Sequence, residues 1–214
     1  MRLVFRIRIV GAEHLPRWGP ALVAANHVSL LDPPAVFTLL YRAGRRARFL
    51  AVSDLWRITV LGWLLRRGRM IPVERGQGPD RMVRHACAAL EAGQVVVIYP
   101  EGHVAPPELP LGRTGPGKPG AGMLALRTSA PVVPVAILGL RRRNPRWWRL
   151  PPRDITIVVG RPVDLSGLRG RLDPEAALGA SEAMLAEIRA LMASRATPGR
   201  NRPRRRPRRS PPPR

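Results

Sequence analysis

"ALVAANHVSLLDPPAVFTLLYRAG", residues 21 to 44, decides how the fold is read. Ala21 to Ala25 form a short, wholly apolar run, the pattern of a buried strand that ends at Asn26-His27. A helix is predicted to follow Asp32. Pro33 suits its first turn and Gly44 lies just past its end.

The same alternation continues outward in both directions. "LVFRIRIV" (3 to 10) alternates apolar residues with Arg, a half-exposed strand. "RARFLAV" (46 to 52) is a strand, "DLWRITVLGWLLRRG" (54 to 68) a single helix, and "MIPVER" (70 to 75) a short strand. "DRMVRHACAALEAG" (80 to 93) is a helix opened by Asp80 and closed by Gly93. The apolar strand "QVVVIYPEG" (94 to 102) runs into a turn, and a Gly/Pro-rich loop spans roughly 104 to 120. Then come the helix "AGMLALRTS", the strand "VVPVAIL" and the strand "DITIVVG" (154 to 160). Pro134 suggests a bulge or an edge in the first of these strands. A final helix (173 to 194) is capped by Asp173 with Pro174 in its first turn. Alternating strands and helices with apolar central strands predict one layered α/β domain over residues 1–197. Its central sheet should be mixed, largely parallel and flanked by helices.

From Pro198 the composition changes. Residues 198–214 carry eight arginines, many prolines and no acidic or large apolar residue, so a disordered basic tail is expected. The whole 214-residue chain has a formal charge of +23, and Lys118 is its one lysine. Such a field favours anionic partners, whether nucleic acid, phospholipid surfaces or phosphorylated substrates. The single cysteine, Cys87, excludes an intrachain disulfide framework and reads as a small hydrophobe on a helix face, consistent with a cytoplasmic setting. No apolar run reaches the about 18 residues of a membrane span, and the N-terminus alternates where a signal peptide would be solidly apolar.

Four stretches carry chemistry. His27 follows a buried strand, and sites in open α/β sheets gather at the carboxyl ends of strands. A neutral imidazole there can take a proton from a hydroxyl, with Asp32 folding back across a tight turn to fix its tautomer. The alternatives are that Asp32 only caps the helix and that His27 is a buried, hydrogen-bonded histidine. "YPEGH" (99 to 103) places Glu101 at the same sheet edge, or makes a simple turn with Gly102 supplying the backbone angles. "IPVERG" presents Arg75 just beyond a strand, either as a phosphate fork or as one more surface arginine. "VVPVAI" (132 to 137) has no reactive group and is an apolar wall.

Taken together, "NHVSLLD", "IPVER", "YPEG" and "VPV" resemble, in order and spacing, the blocks of the glycerolipid acyltransferase family that makes phosphatidic acid from 1-acyl-sn-glycerol 3-phosphate. The resemblance runs from about residue 5 to residue 165. It implies that His27 is the general base on the acceptor hydroxyl, oriented by Asp32 in an HX4D motif. Acyl transfer from acyl-CoA or acyl-carrier protein would be direct, with no acyl-enzyme, no metal and no further cofactor. Backbone N–H groups near the turn would hold the developing oxyanion. Arg75, Glu101 and Gly102 fall at acceptor-binding positions, Arg75 on the phosphate and Glu101 on the glycerol end.

The chain departs from the pattern at several points. Pro-Glu-Gly continues as His103-Val104 where Thr-Arg is usual, Val52 stands where many members have Lys, and Arg69 occupies the usual glycine position, one place after Gly68. Arg113 and Lys118 are candidate replacement cations. His103 is either a substitute phosphate donor or a turn residue.

A lysophospholipid acceptor resides in a bilayer, so the chain is expected to dock peripherally on an anionic membrane, at the inner face of the cell membrane. Little chain precedes the histidine block, which points to basic surfaces as the anchor. "LRRRNPRWWRL" (140 to 150) and the tail suit this, while the helix holding Trp56 and Trp63 reads equally as membrane contact or core. Two rival classes are a basic nucleic-acid-binding protein and an inactive acyltransferase-fold scaffold. The folded region shows no base-reading basic helix and no aromatic platform, so no specific nucleic acid is expected.

Overall fold

The apolar run Ala21–Ala25 is a strand whose five residues are all buried, and it lies at the centre of a seven-stranded sheet. The computed structural model describes residues 6–74, 80–106, 108–110, 112–140 and 154–196. The strands are β1 (Arg6–Val10), β2 (Ala21–Ala25), β3 (Ala47–Val52), β4 (Ile71–Val73), β5 (Val95–Ile98), β6 (Val132–Leu138) and β7 (Asp154–Val159). The helices are α1 (Asp32–Arg42), α2 (Thr59–Arg67), α3 (Asp80–Glu91), α4 (Pro119–Arg127) and α5 (Pro174–Ala196). Their spatial order is β1-β7-β6-β2-β5-β3-β4. Only β6 and β7 pair antiparallel, so the sheet is mixed and mostly parallel, as the alternation predicts.

Two cores sandwich the sheet. On one face Ala35, Val36, Leu39 and Leu40 of α1 pack on Val23, Val97 and Val135. On the other, α3, α4 and α5 bring Val83, Leu124 and Leu185 against Leu22, Val96 and Ala136. The crossovers β2–α1–β3 and β3–α2–β4 step in the same direction across the sheet. Right-handedness therefore puts α2 on the α1 face. Helix α5 begins as its sequence predicts, with the Asp173 carboxylate accepting the Ala176 N–H at 2.9 Å. Gly122 lets α4 approach α5 at backbone distance, because a Cβ there would lie 1.8 Å from the Ala177 carbonyl oxygen.

Three sequence expectations need correction. The helix expected over 54 to 68 is broken: a 3-10 turn, Ser53–Arg57, precedes α2, with Ile58 extended between them. The break lets Gly62 pack on the turn, where a Cβ would stand 2.4 Å from the Trp56 carbonyl oxygen. Pro134 is at neither a bulge nor an edge. It pairs in continuous register with Ala24 of β2, and its carbonyl accepts the Gly160 N–H at 2.8 Å. The β7 ladder is running out there, so the missing proline N–H forfeits at most one bond. The strand expected over 70 to 75 is three residues long. Just before it, Arg69 has φ 48, the one non-glycine in the left-handed region among the described residues. That conformation costs a side-chain-bearing residue about 1 kcal/mol, and it falls where the resembling family has glycine. Arg75, the 140–150 tryptophan cluster beyond Leu140 and the arginine tail lie outside the described residues.

Candidate active site

Strands β2 and β5 are parallel neighbours, with Ala24 opposite Ile98. Both chains therefore leave the sheet at the same edge, and the turn after β2 meets the turn after β5. Asn26 fastens the first turn. Fully buried, its side-chain amide donates to the Ile137 carbonyl at 3.1 Å and its carbonyl oxygen accepts the Ile137 N–H at 2.7 Å.

His27 comes next, with its side chain 15% exposed, and Asp32 returns to it from the first residue of α1 with no exposure at all. One carboxylate oxygen, Asp32 Oδ2, accepts from His27 Nδ1 at 3.0 Å, from the Val28 N–H at 2.6 Å and from the Ser29 N–H at 2.7 Å. Asp32 is not the N-cap of α1; that position is Leu31, which makes no side-chain cap. A carboxylate only accepts, so Nδ1 carries the proton and Nε2 is the basic nitrogen.

The imidazole is also held from above and behind. Tyr99 stacks on it, ring centroids 4.2 Å apart and planes 19° apart. Its hydroxyl and Asp32 Oδ1 are buried without a protein hydrogen-bond partner among the described residues. Burial pushes the Tyr99 phenol well above its usual range, and the Asp32 charge adds to the shift.

Glu101 is fully buried, not solvated. Oε1 accepts the His27 backbone N–H at 2.9 Å and Oε2 the Gly115 N–H at 2.7 Å. The Ala105 N–H donates to the His27 carbonyl at 2.6 Å, so the backbone of His27 is gripped on both sides. Glu101 thus ties the histidine turn to the glycine-rich loop. The loop is pinned in turn by α5: the Gly117 N–H donates to Glu182 at 2.7 Å and Arg189 to the Thr114 hydroxyl at 2.9 Å.

Gly102 (φ 71) and His103 are exposed at the rim. A Cβ on Gly102 would lie 3.0 Å from Lys118 Cγ, which places that lysine at the same rim. The His103 ring borders Gly115. Strand β4, which leads toward Arg75, leaves at this edge three strand spacings from β2, about 14 Å. The expectation that turn amides would serve an oxyanion does not hold at His27, Val28, Ser29, Leu31 or Asp32. Each of those N–H groups is already bonded within the frame.

Sequence reasoning placed Ser29 in the turn between His27 and Asp32 but missed Tyr99 as part of the frame. The Ser29 hydroxyl accepts the Leu31 N–H at 3.2 Å. Tyr99 is set beside the end of β2 by the β2–β5 register, which the sequence does not show. Among the described residues no group of three or more His, Cys, Asp or Glu could hold a metal ion. No helix among them is long and apolar enough to cross a membrane. Cys87 is partly buried, and its thiol is pushed up chiefly by that burial.

An imidazole so braced can accept a proton at Nε2, and comparison with known proteins shows which family the chain matches. The profile described as Acyltransferase matches residues 6–138, well over half of the chain. The chain is 27% identical over 164 residues to a chloroplastic 1-acyl-sn-glycerol-3-phosphate acyltransferase of Brassica napus, covering 74% of this chain and 45% of that protein. It is 28% identical over 161 residues to N-acylphosphatidylethanolamine synthase of Arabidopsis thaliana, covering 68% of this chain and 56% of that one. It therefore spans about half the length of these relatives. The crystal structure of the 1-acyl-sn-glycerophosphate (LPA) acyltransferase of Thermotoga maritima superposes with a TM-score of 0.68 at 25% identity, covering 90% of this chain and 74% of that one. The matching profile, the shared fold and the paired His27 and Asp32 lead to one conclusion: this chain belongs to the acyltransferase family.

Proposed function

We propose that the protein moves a fatty acyl group from acyl-CoA or acyl-carrier protein to the free hydroxyl of a lysophospholipid, foremost 1-acyl-sn-glycerol 3-phosphate, giving phosphatidic acid. The observation that carries this reading is the 3.0 Å contact between His27 Nδ1 and a wholly buried Asp32, with the imidazole still reaching solvent. In the reaction Nε2 takes the hydroxyl proton as the oxygen attacks the thioester carbonyl. The tetrahedral intermediate then collapses, and the thiol leaves with the proton that the imidazolium returns. Asp32 stabilises the imidazolium meanwhile. Such base assistance is worth roughly 10²–10⁴-fold.

In this reading Arg75 and Lys118 grip the acceptor phosphate, and Gly102 and His103 border it. Glu101 contributes by holding the His27 backbone in place. The names of the relatives cover more than one lipid acceptor, so the decisive experiment is an acceptor screen. Purified protein with acyl-CoA or acyl-carrier protein is offered 1-acylglycerol 3-phosphate, glycerol 3-phosphate, lysophosphatidylethanolamine and lyso-ornithine lipid. The expected result is highest turnover with 1-acylglycerol 3-phosphate. Preference for an acceptor lacking a terminal phosphate would overturn the assignment.

A further inference from the structure

The two faces of the sheet are dressed differently. Eleven large apolar side chains are exposed among the described residues, and seven of them fall between Leu30 and Leu64, on the α1 and α2 face. The three helices of the opposite face contribute only Leu178. On α1, Phe37 and Tyr41 stand one turn apart with rings stacked at 6.1 Å. On α2, Val60, Trp63 and Leu64 share one helical face with Arg67, whose guanidinium lies over the Trp63 ring at 5.3 Å. Gly62 and Leu65 point the other way and are buried.

Charge follows the same division. Exposed Arg42, Arg57, Arg66 and Arg67 on α1, α2 and the preceding turn face one exposed acid, Asp54. Helices α3, α4 and α5 together hold five arginines and five acidic residues. We propose that the outer face of α2, an exposed apolar stripe flanked by arginines, docks on an anionic lipid bilayer.

The chemistry selects this occupant. Aliphatic Val60 and Leu64 gain nothing from a nucleic-acid backbone, and a second copy of this face would bring Arg66 and Arg67 against their own kind. A phospholipid interface accepts both: acyl chains for the apolar residues, headgroup phosphates for the guanidiniums, and the boundary zone for Trp63. A second exposed apolar side chain, Leu30 at 82%, belongs to the turn that carries His27 and Asp32, so that turn also offers an apolar group to a lipid surface. The inference deepens the lipid-acceptor reading, while the binding itself rests on other residues.

The test is co-sedimentation of the full chain with sucrose-loaded vesicles of phosphatidylglycerol and phosphatidylcholine, and with phosphatidylcholine alone. Three variants are compared: Val60→Ser/Trp63→Ser/Leu64→Ser, Arg66→Glu/Arg67→Glu, and the control Leu172→Ser/Leu178→Ser, each checked by thermal melting. The first two should each lower partition onto anionic vesicles about tenfold or more, and the control should bind as wild type. The triple variant should still turn over a short-chain, water-soluble acceptor. Undiminished vesicle binding by either folded α2 variant would overturn the proposal. So would a wild-type dimer that the triple variant converts to monomer, or loss of RNA binding with vesicle binding intact. Vesicle binding lost in the variants while the wild type acylates no acceptor would defeat the functional reading and leave the docking face standing.

Discussion

Asp32 satisfies two demands with one carboxylate. At the first position of α1 its charge suits the positive end of the helix dipole, and by curling back it collects three N–H donors on one oxygen. The spacing of five residues made this contact conceivable, but an N-cap was equally open until the turn was seen. Tyr99 was not legible as a partner at all, since its stacking on His27 depends on the pairing of β2 with β5. The Tyr99 phenol gives a test at this scale. Its folded-state pKa is raised by burial and then by Asp32, whereas an unfolded tyrosine ionises near about 10. As pH rises past that value the unfolded chain loses its proton first, so the wild type loses stability. Tyr99→Phe removes the term. Urea melts at neutral pH and at about pH 11 should show the variant gaining on the wild type at the alkaline end; an equal difference at both would contradict the burial of the hydroxyl.

Glu101 connects elements that the sequence presents separately. Its partners, the His27 and Gly115 backbone N–H groups, are 74 and 14 residues away. The motif was therefore visible but its bonds were not. Glu101→Ala would leave two N–H groups unmet in a buried setting, at about 1–3 kcal/mol each. The expected result is a lower melting temperature and a fall in kcat that exceeds any change in KM, since the imidazole is displaced and not the acceptor. A variant that melts like the wild type would show that the strut carries no load. Elements themselves were read well where periodicity and caps agreed, as in β2 and in α5 with its Asp173 cap. They were misread where tertiary contact overrode local signals. The close approach of Gly62 to Trp56 broke a helix that hydrophobicity alone would continue. Pro134 entered an interior strand because the neighbouring ladder ends beside it.

Among the described helices, basic charge and apolar exposure coincide on α1 and α2, while the candidate catalytic residues gather at one edge of the sheet. The excess of +23 was plain from composition, but its allocation required the sheet order, which decides the face each helix covers. We propose that the arginine-rich residues 199 to 214 add a second, separable attraction to anionic lipid, since each basic residue near such a surface contributes about 1 kcal/mol. Deleting them should weaken co-sedimentation with anionic vesicles, most at low salt; unchanged binding would remove the tail as an anchor. The proposed reaction itself turns on the imidazole. Steady-state acyl transfer by His27→Ala and His27→Gln, each melting near the wild-type temperature, should show kcat/KM reduced by about 10²–10⁴-fold, with acceptor binding retained. Turnover by either folded variant close to that of the wild type would contradict it.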